Sequence, residues 1–238
     1  MIYIGVTGKS GAGKSTFSDF WSTKSNVGVI HFDDIVDEVK MKYLKFFMEK
    51  NNENKPVKVN TKLKKFIYNN RITFNLLMKF RDIITRKAFE RRVQELKSQG
   101  KEIIVVDDWM LITHRALCEK CKKIYIVDRR FTQRRIGLQK RDNATIEETK
   151  VIDIPFALGY VKIPRGKKVE NINNYGSIDD LKALVDEKYQ EIGVLGFDEK
   201  YKIKDKGVMD RLRQVSKGGN VINKLLHGVR KSLEEKEE

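Results

Sequence analysis

Gly8, Gly13, Lys14 and Ser15 stand in the spacing G-x-x-x-x-G-K-S, inside a stretch from Gly5 to Thr16 that reads GVTGKSGAGKST. That spacing serves one kind of chemistry. Glycines let a backbone curl until successive N–H groups face inward, where they bind phosphate oxygens. The apolar run Ile2–Val6 precedes the loop and a helix-like stretch, Ser15–Trp21, follows it. A helix amino terminus adds its partial positive charge to such a cradle. Lys14 would then reach the β- and γ-phosphates, and Ser15 would offer its hydroxyl to Mg²⁺. The expectation is a nucleoside triphosphate, ATP, held by Gly8, Ser10, Gly11, Ala12, Gly13, Lys14, Ser15 and Thr16, with Mg²⁺ alongside.

A phosphoryl group held this way needs an acceptor, and the acceptor needs an acid beside it. HFDD puts Asp33 at the end of the strand-like run that begins at Val27. The run EIIVVDDW ends in Asp107 and Asp108, an apolar strand closed by carboxylates. Asp107 or Asp108 would hold Mg²⁺ directly or through water, or would bind an acceptor hydroxyl, as carboxylates do in nucleoside and nucleotide kinases. Charge on the transferring phosphoryl group calls for cations. The segment RRFTQRRIGLQKRD supplies a candidate lid in Arg134, Arg135, Lys140 and Arg141. A GTPase-type base-reading segment is not found; NNYG, from Asn173, does not have the N-K-x-D form.

These side chains need a scaffold whose strand ends lie together. Short apolar runs at Ile2–Val6, VGVIHF, EIIVVDDW, KIYIVD and KVENI alternate with helix-like stretches. The pattern predicts an α/β fold, a P-loop NTPase-type parallel sheet flanked by helices, with a helical substrate and lid region and a helical C-terminal extension. Residues 1–192 read as the main domain, with a helical substrate-binding region at about 40–100 and a lid at about 130–150. A helix is expected over Ile35–Lys50, then a polar loop over Asn51–Asn60. A long helical stretch from Thr61 to Gly100 should break near Tyr68–Arg71, with Gly100 as its stop. TIEE at Thr145 and SIDD at Ser177 read as helix starts, the first as a capping box. Residues 193–238 read as a basic helical extension, carrying apolar positions such as Val221, Ile222 and Leu225 at helical spacing.

Taken together, four segments resemble the dephospho-CoA kinase family: GVTGKSGAGKST, VIHFDDIVDEV, TQRRIGLQKRD and VENINNYGS. The resemblance runs in element order from Met1 to about Tyr189. It implies transfer of the ATP γ-phosphoryl group to a ribose 3′-hydroxyl, with Asp33 orienting or deprotonating that hydroxyl. It also implies that Arg141 closes on the phosphates and that Asn173 or Asn174 lies near the adenine. The family's aspartate-alanine-aspartate motif appears here with His31 in its first place. Its histidine-proline has no match in LLMKFRDII, and DDWML stands where it has proline-leucine-leucine. Two alternatives therefore stay open: a kinase of nucleosides or (deoxy)nucleoside monophosphates, of the kind a phage could encode, and a nucleotide-dependent binding subunit without kinase activity.

Composition narrows the classes. The 238 residues carry a formal net charge of +16, with lysine spread along the chain instead of gathered in one block. A positive field of that kind suits a polyanionic substrate; nucleic acid is the less favoured partner, and a small-molecule acceptor the favoured one. A monomer or small homo-oligomer is expected. No run approaches the roughly 20 apolar residues that cross a bilayer, and the start, MIYIGVTGKS, has no signal-peptide pattern, so a cytoplasmic protein is expected. Cys118 and Cys121 form C-x-x-C, but zinc would need two more ligands and the strand KIYIVD follows at once. They read as two thiols on a surface helix.

Overall fold

The computed structural model describes residues 1–43, 48–49, 58–59, 61–143, 145–161, 166 and 168–194. In chain order these form β1 (Ile2–Thr7), α1 (Lys14–Ser22), β2 (Val27–His31), α2 (Phe32–Tyr43), β3 (Met48–Glu49) and β4 (Lys58–Val59). Helices α3 (Thr61–Asn69) and α4 (Arg71–Ser98) come next, then β5 (Ile103–Asp107) and a 3₁₀ turn at Leu111–Thr113. The rest comprises α5 (Arg115–Lys120), β6 (Cys121–Asp128), α6 (Phe131–Asp142), α7 (Ile146–Ala157), β7 (Val169–Asn173) and α8 (Ile178–Val194).

Five strands make one sheet in the order β2-β5-β1-β6-β7, and every neighbouring pair is parallel. β5 is buried along its whole length, as a parallel strand covered on both faces must be. The period of two explains how. Ile103 and Val105 join Ile4, Val6 and Tyr125 on one face, against Phe17 and Trp21 of α1 and Leu181 and Val185 of α8. Ile104 and Val106 join Ile30 and Ile124 on the other face, against Ile35 and Val39 of α2 and Ala88 and Val93 of α4. Helices thus sandwich the sheet, and all five strand carboxyl ends emerge on one side, where ligands of open α/β sheets bind.

A third apolar cluster stands apart from the sheet: Phe74 and Met78 of α4 with Met110, Val161, Tyr68 and Trp109. It belongs to the helical region expected between about 40 and 100. The break in that region falls at Asn70, whose side chain caps α4 by accepting from the N–H groups of Ile72 and Thr73. α3 is tied to α7 by Thr61 donating to Glu148 and by the pair Lys65–Glu147.

The boundaries differ from expectation in three places. α2 ends at Tyr43, short of Lys50, and Met48–Glu49 pair antiparallel with Lys58–Val59. So part of the expected loop at 51–60 is strand; its other residues lie outside those described. Cys118 and Cys121 do not share a surface helix. Cys118 sits half-buried in α5, and Cys121 is buried as the first residue of β6. Burial pushes the Cys118 thiol up to about 11 and the Cys121 thiol up to about 12, so both are inert at neutral pH. The expected helices of the extension, beyond Val194, lie outside the described residues.

Candidate active site

The phosphate loop spans the gap between β1 and α1. Its glycines are there for geometry: Gly8, Gly11 and Gly13 have φ of 140°, 76° and 95°, which other residues adopt only with strain. Space adds a second reason. A Cβ at Gly8 would overlap the Val127 carbonyl oxygen, and one at Gly13 would overlap the Asn174 amide. Two contacts hold the loop from outside, and a third closes it from within. Asn174 donates to the Ala12 carbonyl at 2.9 Å. Arg134 donates to the Ser10 carbonyl at 2.7 Å. Lys14 Nζ donates to the Lys9 carbonyl at 3.3 Å. Burial lowers the Lys14 pKa, while the charges of Asp107, Asp33 and Asp108 pull it partly back up.

Beside the loop, Ser15, Asp19, His31, Asp33, Asp34 and Asp107 line a cavity of about 220 Å³. Strand register builds it: His31 of β2 and Val6 of β1 are both level with Asp107 of β5. His31 bridges two carboxylates, Nδ1 lying 3.1 Å from Asp107 and Nε2 lying 3.0 Å from Asp19. The hydrogen bond to Asp107 outweighs burial and pushes the imidazole pKa up to about 9. At neutral pH the ring is a cation that donates from both nitrogens. Asp33 occupies the first turn of α2 and stays open to solvent. Crowding by protein, with Asp108 and Asp107 close by, nonetheless pushes its carboxyl up to about 6 against the pull of Lys14 and Arg81.

Arg81, from α4, closes the other side. Its Nη2 donates to Asp108 and lies 2.8 Å from His114 Nε2, while the guanidinium carbon sits 4.7 Å from the centre of the Phe32 ring. His114 Nδ1 in turn lies 2.9 Å from Asp82. Asp108 is fully buried and also accepts the Met110 N–H at 2.9 Å. Burial raises the Tyr68 hydroxyl pKa to about 12, lowered by Arg81 and raised by Asp33, which puts this ring in the same neighbourhood.

Of the residues expected to act, Lys14, Ser15, Asp33 and Asp107 come together around the loop and its cavity, and Asp108 lies behind them, turned toward Arg81. Arg141 is exposed and forms a two-bond pair with its neighbour Asp142, yet its charge reaches Asp33 and Lys14. Arg134 is turned inward: 3% exposed, it grips Asp153 of α7 with bonds of 3.2 and 2.6 Å as well as Ser10. Asn173 is exposed at the end of β7, and Asn174 lies under the loop. Arg81, His114, Asp19 and Asp153 were not singled out by sequence reasoning. Arg81 did leave a signal, since it falls within the buried stripe Phe74, Met78, Arg81, Thr85, Ala88 of α4, where a charge is out of place unless paired.

No protein-family model matches the chain, and no curated protein does. Solved structures do. TT1252 from Thermus thermophilus is 16% identical with a TM-score of 0.53, over 80% of this chain and 97% of that one. A dephospho-CoA kinase from Campylobacter jejuni is 22% identical with a TM-score of 0.44, over 80% and 96%. A gluconokinase from Sinorhizobium meliloti 1021 is 13% identical with a TM-score of 0.44, over 80% and 97%. At 16% identity the likeness to TT1252 is one of fold alone: a parallel sheet flanked by helices.

Proposed function

We propose that the protein is an ATP-dependent phosphotransferase whose acceptor is a hydroxyl group of a small molecule, with the ribose 3′-hydroxyl of dephospho-CoA as the favoured acceptor. One observation carries the reading: Asp33, an accessible carboxylate, stands in the field of Lys14 beside the cavity that Ser15 and Asp107 line. Donor-side and acceptor-side groups therefore meet at one point. With its pKa near 6, Asp33 is ionised at pH 7 and still basic enough to draw a proton from an attacking hydroxyl.

Charge argues for a hydroxyl over a phosphate acceptor. An acceptor phosphate in the cavity would meet Asp19, Asp33, Asp34 and Asp107, while the His31 cation is committed to Asp107 and Asp19 and Arg81 to Asp108. Like charges at such range repel strongly in a partly dry site; a neutral hydroxyl meets no such barrier. The oxygen donors Ser15 and Asp107, on one cavity, suit a hard cation such as Mg²⁺. Bound there, the ion would neutralise charge on the phosphates. Lys14 and the loop N–H groups would hold the same oxygens, with Arg141, whose charge is felt at Lys14 and Asp33, as the candidate lid cation.

A second reading, a nucleoside kinase, draws on Tyr68 and Trp109, whose rings lie 6.3 Å apart on the helical side and offer flat surface to a base. The deciding experiment incubates the enzyme with Mg²⁺·ATP and dephospho-CoA, the nucleosides or the (deoxy)nucleoside monophosphates, with products separated by chromatography. Conversion of dephospho-CoA, abolished by Lys14→Ala with ellipticity unchanged, is the expected result. Phosphorylation of the monophosphates alone would overturn the hydroxyl reading. Bound ATP with no acceptor modified would point to the binding subunit.

A further inference from the structure

Ser15 and Asp107, the oxygen donors suited to Mg²⁺, sit on different elements, α1 and β5. A bridge of side chains joins those elements beside the cavity. Asp19 lies one helical turn beyond Ser15, so the two share a face of α1. His31 ends β2, level with Asp107 at the end of β5. Its Nε2 lies 3.0 Å from Asp19 Oδ1 and its Nδ1 lies 3.1 Å from Asp107 Oδ2. All four residues line the cavity. The bridge divides the Asp107 carboxylate between two tasks. An ionised carboxylate only accepts, through its two oxygens. His31 donates to Oδ2, and Oδ1 has no hydrogen-bond partner among the described residues. The Asp107 side chain is 6% exposed and that of Asp19 63%, so the buried carboxylate is the oriented one and the outer one is the anchor. Among the described residues no group of three or more His, Cys, Asp or Glu side chains is placed to hold a metal ion. A cation here therefore depends on how its few protein oxygens are aimed.

We propose that His31 is a positioning residue for the metal: its Nδ1–H fixes one oxygen of Asp107 and leaves the other to a divalent cation that arrives with the nucleotide. This rests on the phosphotransferase reading above, with Ser15 and Asp107 as the metal-side donors. Hydrogen bonds of this kind to a ligating carboxylate set its direction and strengthen metal binding. His31 does not touch the ion. With both ring nitrogens turned to carboxylates, it has no lone pair to give a metal and none to take a proton from an acceptor. Asp19 acts through His31: it holds the far side of the ring, and through the ring it ties the Ser15 face of α1 to the end of β5.

The test reads metal binding, not turnover. Mn²⁺, which takes the same oxygen donors as Mg²⁺, is titrated into the full-length protein with the β,γ-imido analogue of ATP. Free Mn²⁺ is followed by electron paramagnetic resonance. The wild type is compared with His31→Leu, His31→Ser and His31→Asn. Leucine and serine both remove the donor to Asp107, and serine guards against loss of folding in the leucine variant. Asparagine keeps an amide N–H near the place of Nδ1. Binding of the analogue in EDTA is measured alongside, because a merely structural loss weakens the nucleotide with or without metal. His31→Leu and His31→Ser are expected to weaken Mn²⁺ by about tenfold or more, the usual cost of losing such a partner, and His31→Asn to stay within about threefold of the wild type. The direction is diagnostic: removing a cation beside a metal site would by charge alone tighten the metal. Mn²⁺ held as tightly or more tightly by His31→Leu and His31→Ser overturns the proposal. So does an asparagine variant that loses as much as they do, or a loss matched by weaker analogue binding in EDTA. If the wild type itself holds no Mn²⁺ with the analogue bound, the assignment of Ser15 and Asp107 as metal-side donors fails, and His31 has nothing to position.

Discussion

Asp33 carries two opposite demands on one carboxyl. Its folded pKa near 6 lies above the ordinary carboxylate value, so the folded chain holds this proton more tightly than the unfolded chain does. The sign follows from linkage: the group adds stability below the ordinary carboxylate range and loses it as pH rises through about 6. The charged form that proton removal requires appears over that same interval. Turnover is therefore expected to fall on the acid side with an apparent pKa near 6, measured as kcat/KM against pH. Asp33→Asn should lower kcat by about 10²–10⁴-fold and leave the ATP dissociation constant by calorimetry within about twofold. A variant that loses only acceptor affinity would make Asp33 a positioning group. This residue was legible from sequence because it follows an apolar strand at a fixed distance, as Lys14 does within its loop. Arg81 was not, because its partners Asp108 and His114 lie 27 and 33 residues away and only the folded sheet brings them near.

At the scale of elements, the phosphate loop is shaped from within by glycine and held from without by α6. The stretch RRFTQRRIGLQKRD suggested a helix of phosphate-facing cations, and its helix is there. Burial decides differently among its arginines: Arg134 and Leu138 are buried against the body, while Arg141, on the same stripe but at the helix end, is exposed and pairs with Asp142. Arg134 becomes a tether between the loop and Asp153. Arg134→Ala would strand Asp153 and free the Ser10 carbonyl, and should cost roughly 3 kcal/mol, as loss of one partner of a buried pair does. Urea unfolding reads this directly, and weaker ATP binding should accompany it. If ATP affinity fell with stability untouched, Arg134 would contact the nucleotide itself. The capping box at Thr145 and the Asn70 cap were readable because they are local. The early end of α2 was not, since apolar spacing continued past Tyr43.

At the scale of the molecule, every side chain assigned to the site, and both apolar layers on the sheet, precede residue 195. A chain ending at Val194 is thus expected to bind ATP with an affinity within about threefold of the full chain, measured by calorimetry; a larger loss would give the extension a part in the site. The alternation of strands and helices foretold the sheet. It could not foretell the order β2-β5-β1-β6-β7, because strand neighbours are chosen by long-range packing.

The tethering of the loop has one more consequence, in the order of synthesis. The phosphate loop leaves the ribosome well before its outside anchors, which arrive 124 residues later with Arg134 and 162 residues later with Asn174. A nascent chain carries the complete motif long before it carries the means to hold it in shape. On the proposed function, ATP capture is expected only once β7 has been made and laid against β6, and ATP retention by stalled nascent chains of increasing length reads this directly.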